Sequence, residues 1–186
     1  MTPQSDRGLS SVVGTVTLVA LVVVLATGVL AGGMAMASLD DPPPVATIEA
    51  EATTAACAGC GPDDQVLRLR HRNGDSLSMA EVALVVSAPG HDVTRLVDLP
   101  LSTNCLRDGH VEGPDLFDGR CGRVGGPLTS VGSDADGVWR AGETVHFRLQ
   151  KRAVHLTPGD EVTVSVVHTP SDSVVEERAV AVQSRG

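Results

Sequence analysis

Residues 9–39 read LSSVVGTVTLVALVVVLATGVLAGGMAMASL, thirty-one positions without a charged side chain. As an α-helix this run reaches about 46 Å at 1.5 Å per residue, whereas about 20 apolar residues already cross a hydrocarbon core of about 30 Å. Its densest part, Val12 to Leu30, is apolar on every side, which suits lipid or the middle of a bundle of like helices. Gly28 and Gly32 are four apart and Ala35 follows three later, one helical face on which a second backbone can approach closely. Glycine scattered by background through a membrane helix would give the same pattern.

Working outward, Arg7 and the amino terminus precede the run and Asp40-Asp41 follow it, an asymmetry that favours a cytoplasmic N-terminus and an exported remainder. Pro42-Pro43-Pro44 then stops any helix, because proline lacks the backbone donor and biases its predecessor to extended backbone. Past this point the helical period gives way to period two, with strands expected over 45–51, 65–71, 81–87, 93–99, 143–150, 161–168 and 174–182. Asn73-Gly74-Asp75 is expected to turn, since Gly and Asn tolerate positive φ. Glu81 to Ser87 (EVALVVS) is almost continuously apolar, as for a strand covered on both faces or one whose outer face meets another subunit. Residues 102–137 are rich in Gly, Asp, Pro and Ser without alternation, and read as a long loop. The expected fold is α+β overall: one long hydrophobic N-terminal helix, then a mainly-β antiparallel sandwich of Ig-like kind.

The chain has 186 residues and a formal charge of −9, with Lys151 its single lysine among fourteen basic residues. Without a basic face it is not built to neutralise nucleic-acid phosphates. An acidic, lysine-poor surface suits high salt, where carboxylate repulsion is screened over a few ångströms, and points to a halophile; a GC-rich genome also replaces Lys by Arg. No G-x-S-x-G elbow, phosphate-binding G-x-x-x-x-G-K-[ST] or strand-to-helix G-x-G-x-x-G occurs, so no enzyme is expected.

Arg7-Gly8 followed by Leu9-Ser10-Ser11-Val12-Val13-Gly14 and a long aliphatic run resembles the class III signal peptide and N-terminal helix of archaeal type IV pilins, the haloarchaeal group in particular. Three later spots are similar to haloarchaeal pilin-like proteins: residues 69–75, 137–143 and 156–160. The chain departs from the pattern at Ser11, where the family often has Pro, and at Val13, where bacterial pilins carry a glutamate. The resemblance implies cleavage by a prepilin peptidase between Gly8 and Leu9. It implies a leader over 1–8, a membrane and filament-core helix over 9–40, a Pro-rich linker over 41–44 and an extracellular β-sandwich over 45–186. The implied partners are copies of itself or other pilins, the peptidase, and the membrane that holds the precursor, with no cofactor. The implied role is a pilus subunit at the cell surface, displaying its domain for adhesion. Two other fates of the N-terminus stay open: an uncut anchor, and cleavage after Ala35-Met36-Ala37, which would release a soluble domain from Ser38. Either leaves a non-polymerising β-sandwich binding domain, with or without a stabilising metal, as the alternative function.

Cys57, Cys60, Cys105 and Cys121 all fall on the exported side, where thiols are oxidised. Of three pairings we favour Cys57 with Cys60 and Cys105 with Cys121, the second closing the long loop for about 3 kcal/mol; a crossed pairing stays open. Cys57-Ala58-Gly59-Cys60 is also half of a zinc knuckle, without a second close pair. Asp134, Asp136, Gly137 and Glu143 match places three, five, six and twelve of an EF-hand-like calcium loop, but Gly132 stands where its leading carboxylate belongs, so an acidic turn entering a strand is the plainer reading. Arg68, Arg70 and Arg72 form a basic stripe, either solvated or facing an acidic neighbouring subunit. His71, His146, His155 and His168 have no metal-ligand spacing and are expected as half-buried strand residues.

Overall fold

A computed structural model describes residues 42–54, 65–132 and 136–184, which from residue 43 onward belong to the compact unit Pro43–Gly186. Eleven strands are assigned there: β1 Ala46–Thr54, β2 Gln65–Gly74, β3 Leu77–Ser78, β4 Val82–Ser87, β5 Thr94–Leu96, β6 Val111–Glu112, β7 Val124–Gly125, β8 Val138–Trp139, β9 Thr144–Leu149, β10 Glu161–His168 and β11 Ser173–Ser184. Nine of them form one sheet in the order β6-β5-β4-β10-β11-β1-β2-β9-β7, while β3 and β8 make a separate ribbon.

The expected α+β class is corrected. Among the described residues the only helices are 3₁₀ turns of three residues, at Met79–Glu81, Asp108–His110 and Gly126–Leu128, and the class is mainly β. The helix expected over 9–40, with Gly28, Gly32 and Ala35, lies outside the described residues. Among those described, no helix is long and apolar enough to cross a membrane.

The Ig-like pair of purely antiparallel sheets is corrected too, and the reason is strand length. β11 has twelve residues against eight in β10. Its pairing with β10 ends at Ala181, and the overhang Val182–Ser184 runs parallel to Ala52–Thr54 of β1. That short parallel junction merges the halves β6-β5-β4-β10-β11 and β1-β2-β9-β7 into a single mixed sheet. Both halves feed one core, with Leu84, Val86, Val162 and Val164 from the first and Leu67, Leu69, Val145 and Phe147 from the second, so the sheet curls around it.

Alternation sets the faces. In β9, Val145, Phe147 and Leu149 are buried while Thr144, His146 and Arg148 are half-buried on the other side. β4 lies between β10 and β5 and buries Val82, Ala83, Leu84 and Val86, residues from both of its faces, as its unbroken apolar run requires. Gly74 takes φ +104°, and a Cβ there would stand 2.3 Å from the Val45 carbonyl oxygen, so only glycine fits where β1 begins. The segment 102–137 is not a free loop. It contributes β6 and β7, and buries Leu106, Leu116, Phe117, Val124 and Leu128 in the common core. Phe117 meets Phe147 edge to face with centroids 5.4 Å apart. Buried Gln65 pins a further connection to the sheet: its amide nitrogen donates to the Val154 carbonyl (2.7 Å) and its amide oxygen accepts from the Leu156 N–H.

Candidate functional site

The end of β9 is flanked by a strap that copies strand pairing for three residues. The Asp118 N–H donates to the Arg148 carbonyl (2.9 Å), Phe117 bridges Leu149, and the Gln150 N–H donates to the Leu116 carbonyl (2.8 Å). Between strap and strand end opens a cleft of about 660 Å³, lined by Asp115, Asp118, Arg120, Gln150, Lys151 and Arg152 together with Phe117, Gly119 and Leu149. In a chain of charge −9, its only lysine and two of its arginines meet here.

Asp118 organises the charges. Its side chain is 8% exposed and receives a fork from Arg120, with Nε at 2.9 Å from Oδ1 and Nη2 at 2.6 Å from Oδ2. The Arg120 N–H donates to Oδ1 as well (3.2 Å), and Arg123 Nε lies 3.4 Å from Oδ2. The Arg120 side-chain bond, aided by its N–H and by the charges of Arg120 and Arg148, outweighs burial and holds the Asp118 carboxyl below its ordinary range. Asp118 is therefore a fixed anion that anchors cations and not a proton donor. The lining offers carboxylate, ammonium, guanidinium and amide groups for ionic and hydrogen-bonding contact.

A pH dependence follows. With its folded pKa depressed, Asp118 contributes stability above its unfolded value, and that contribution is lost as pH falls through the folded value. Arg120 is 68% exposed, so solvent screens part of it. The stability gap between the wild type and Asp118→Asn, read by urea unfolding, is expected to narrow below about pH 4. A gap that stays constant down to about pH 2 would refute this role.

Beside the cleft, on the outer face of β2 and β9, Arg68 stands opposite His146 and Glu51, and Arg70 opposite Glu49. Arg72 Nε reaches Glu49 at 2.9 Å, so the arginine stripe is partly neutralised by β1. Burial, then the charge of Arg68, lowers the His146 pKa. His71, expected half-buried, is fully buried: Nδ1 lies 3.2 Å from the Trp139 carbonyl oxygen and Nε2 3.1 Å from that of Asn73.

Arg7, Gly8 and Leu9 lie outside the described residues, as do Cys57, Cys60 and Asp134. Cys105 and Cys121 are joined in a disulfide, which removes both as thiolate ligands for zinc. Asp136 accepts from the Val138 N–H (3.0 Å) and from Arg140, and Glu143 accepts from the Arg140 N–H (2.6 Å). The hydrogen bond from Val138, then that from Arg140, lowers the Asp136 pKa. Both carboxylates close the turn into β9, and among the described residues no three His, Cys, Asp or Glu side chains are grouped to hold a metal. Sequence reading missed the Asp118 cluster, although Asp118-Gly119-Arg120-Cys121-Gly122-Arg123 spaces one acid and two arginines through glycines. Searches against known families and curated proteins found no family model that matches this chain and no significantly similar curated protein.

Proposed function

We propose that the chain is a pilin-like structural subunit of an archaeal type IV pilus or related surface filament. The observation that carries this reading is the order of parts in the sequence: Arg7-Gly8, an uncharged run over 9–39, the Pro42-Pro43-Pro44 stop, and then a β-rich unit. The hydrophobic run anchors the precursor in the membrane and afterwards packs against copies of itself in the filament. The β-rich unit is displayed outside, where the cleft around Asp118, Lys151 and Arg152 supplies ionic contacts to a surface or a neighbouring subunit. The disulfide supports an oxidising, exported setting.

The test is the intact mass and N-terminal sequence of the protein from its native membranes, followed by shearing of cells and analysis of the released filaments. The expected mature chain begins at Leu9 and is found in the sheared fraction. A start at Ser38 would overturn the proposal, because the hydrophobic run would be gone and the protein would be a secreted, non-polymerising domain.

A further inference from the structure

The cleft around Asp118 does not end at Asp115 and Gly119. A second hollow of about 190 Å³ shares both residues with it and adds Arg107, Leu106 and Val111. The two hollows together are lined by four cations, Arg107, Arg120, Lys151 and Arg152, and by two carboxylates, Asp115 and Asp118, a local excess of positive charge on a chain of −9. The cations are presented by fixed backbone. The Gln150 carbonyl accepts from the N–H groups of Ala153 (2.9 Å) and Val154 (3.0 Å), which closes a turn around Lys151 and Arg152, and Gln65 holds that turn to β2 through the Val154 carbonyl (2.7 Å). Arg120 is held in place by its fork on Asp118. Lys151, Arg152, Arg107 and Asp115 are exposed, whereas the apolar lining residues Phe117 and Leu149 are buried.

We propose that the two hollows form one trough for a linear acidic polysaccharide, a chain whose sugars carry anionic groups beside free hydroxyls. Cations alone would suit any polyanion, but here they alternate with Asp115 and the Gln150 amide. A sugar hydroxyl both donates and accepts, and a carboxylate or amide set next to an ammonium or guanidinium meets both needs. An acidic peptide or a nucleic-acid strand brings charge without such a ring of hydroxyls, and Asp115 would repel it. The lining also exposes no aromatic ring on which a nucleobase could stack. The first hollow has the volume of an ordinary ligand site, and the second, with its own arginine, lies where the next sugar of a chain would continue. Because the turn and the strap are already held, little ordering is needed on binding. This names the ligand of the cleft that the proposed function uses for surface contact. It rests on that use of the cleft and not on the filament, since a domain released at Ser38 would keep the whole trough.

The test is calorimetric titration of the full chain in detergent, in salt at which Trp139 fluorescence shows the unit folded. The probes are trigalacturonate, the same trisaccharide with its carboxylates reduced to alcohols, triglutamate, and a single-stranded DNA trimer. Trigalacturonate is expected to bind at least about ten-fold more tightly than each of the other three. Lys151→Gln with Arg152→Gln should weaken it about ten-fold, about three-fold for each exposed charge removed, and Arg107→Gln about three-fold. Arg70→Gln with Arg72→Gln, an equal loss of charge on the neighbouring outer face of β2, should change it less than about two-fold. Equal affinity for the acidic and the reduced trisaccharide overturns the proposal, as does tighter binding of triglutamate or DNA. Equal losses in the two double variants would reduce the effect to net charge and overturn it too, and wild-type affinity in Arg107→Gln would refute a trough that spans both hollows.

Discussion

Replacing Trp139 by alanine is expected to cost about 4 kcal/mol, the range for deleting a fully buried large aromatic side chain. Trp139 is the only tryptophan of the chain and has no exposed surface. It belongs to β8, opposite Leu77 of β3, and so plugs the ribbon that these two short strands make. Its ring meets that of His71 edge-on, with centroids 5.8 Å apart and planes at 62°. The indole N–H donates to the Glu143 carbonyl (3.2 Å), which also accepts from the His71 N–H (3.0 Å), and the Gly142 N–H donates back to the His71 carbonyl (2.7 Å). Alanine would thus leave no backbone group orphaned, and the loss is one of buried area and of the cavity left behind. Trp139→Phe, which keeps most of the volume, is expected to lose about 1.5 kcal/mol. Urea unfolding of the full chain followed by far-UV circular dichroism measures both. A loss under about 1 kcal/mol for Trp139→Ala would show that the ribbon collapses to fill the space. Against a typical total of about 5–15 kcal/mol, the expected loss would leave the native state marginal.

What the sequence made legible was whatever alternation writes. The seven expected strands all correspond to strands of the sheet, because in β9 or β10 a residue's face is settled by its own chemistry and that of its neighbours two away. Sheet closure was not legible in this way. Whether two sheets stay apart or merge depends on the three residues by which β11 overruns β10, and no local pattern marks Val182 to Ser184 as reaching β1. The segment 102–137 misled for a related reason. Its buried residues Leu106, Leu116, Phe117, Val124 and Leu128 follow neither a period of two nor one of 3.6, because each is delivered to the core by a separate turn. The Asp118 cluster depends on the same segment folding back along β9, so its members carry no periodic signal, only their glycine-spaced order. His71 shows the converse limit: alternation placed it on the face of Leu67 and Leu69, but its full burial depends on Trp139, which is distant in sequence.

Removing the disulfide by Cys105→Ser with Cys121→Ser is expected to cost about 3 kcal/mol, the loop-closure value for a cross-link of this span. The sequence separation is 16, and the closed segment holds Leu106, Leu116 and Phe117, three core residues that a free chain would have to deliver against its own entropy. The native contacts of that segment do not otherwise require the bridge. The Gly122 N–H still donates to the Asn104 carbonyl (2.9 Å) beside it, and Asp118 still pairs with Arg148 through the backbone. The effect is therefore expected on the unfolded state: the double variant should keep the wild-type tryptophan fluorescence and the narrowing of the Asp118→Asn gap at acid pH. Its denaturant midpoint should fall while its m-value rises, because an unbridged unfolded chain exposes more surface. A midpoint unchanged within error would mean that core burial alone closes the segment. A lost acid dependence would instead show that the bridge shapes the native strap, and that the cleft around Asp118 exists only while Cys105 and Cys121 are joined.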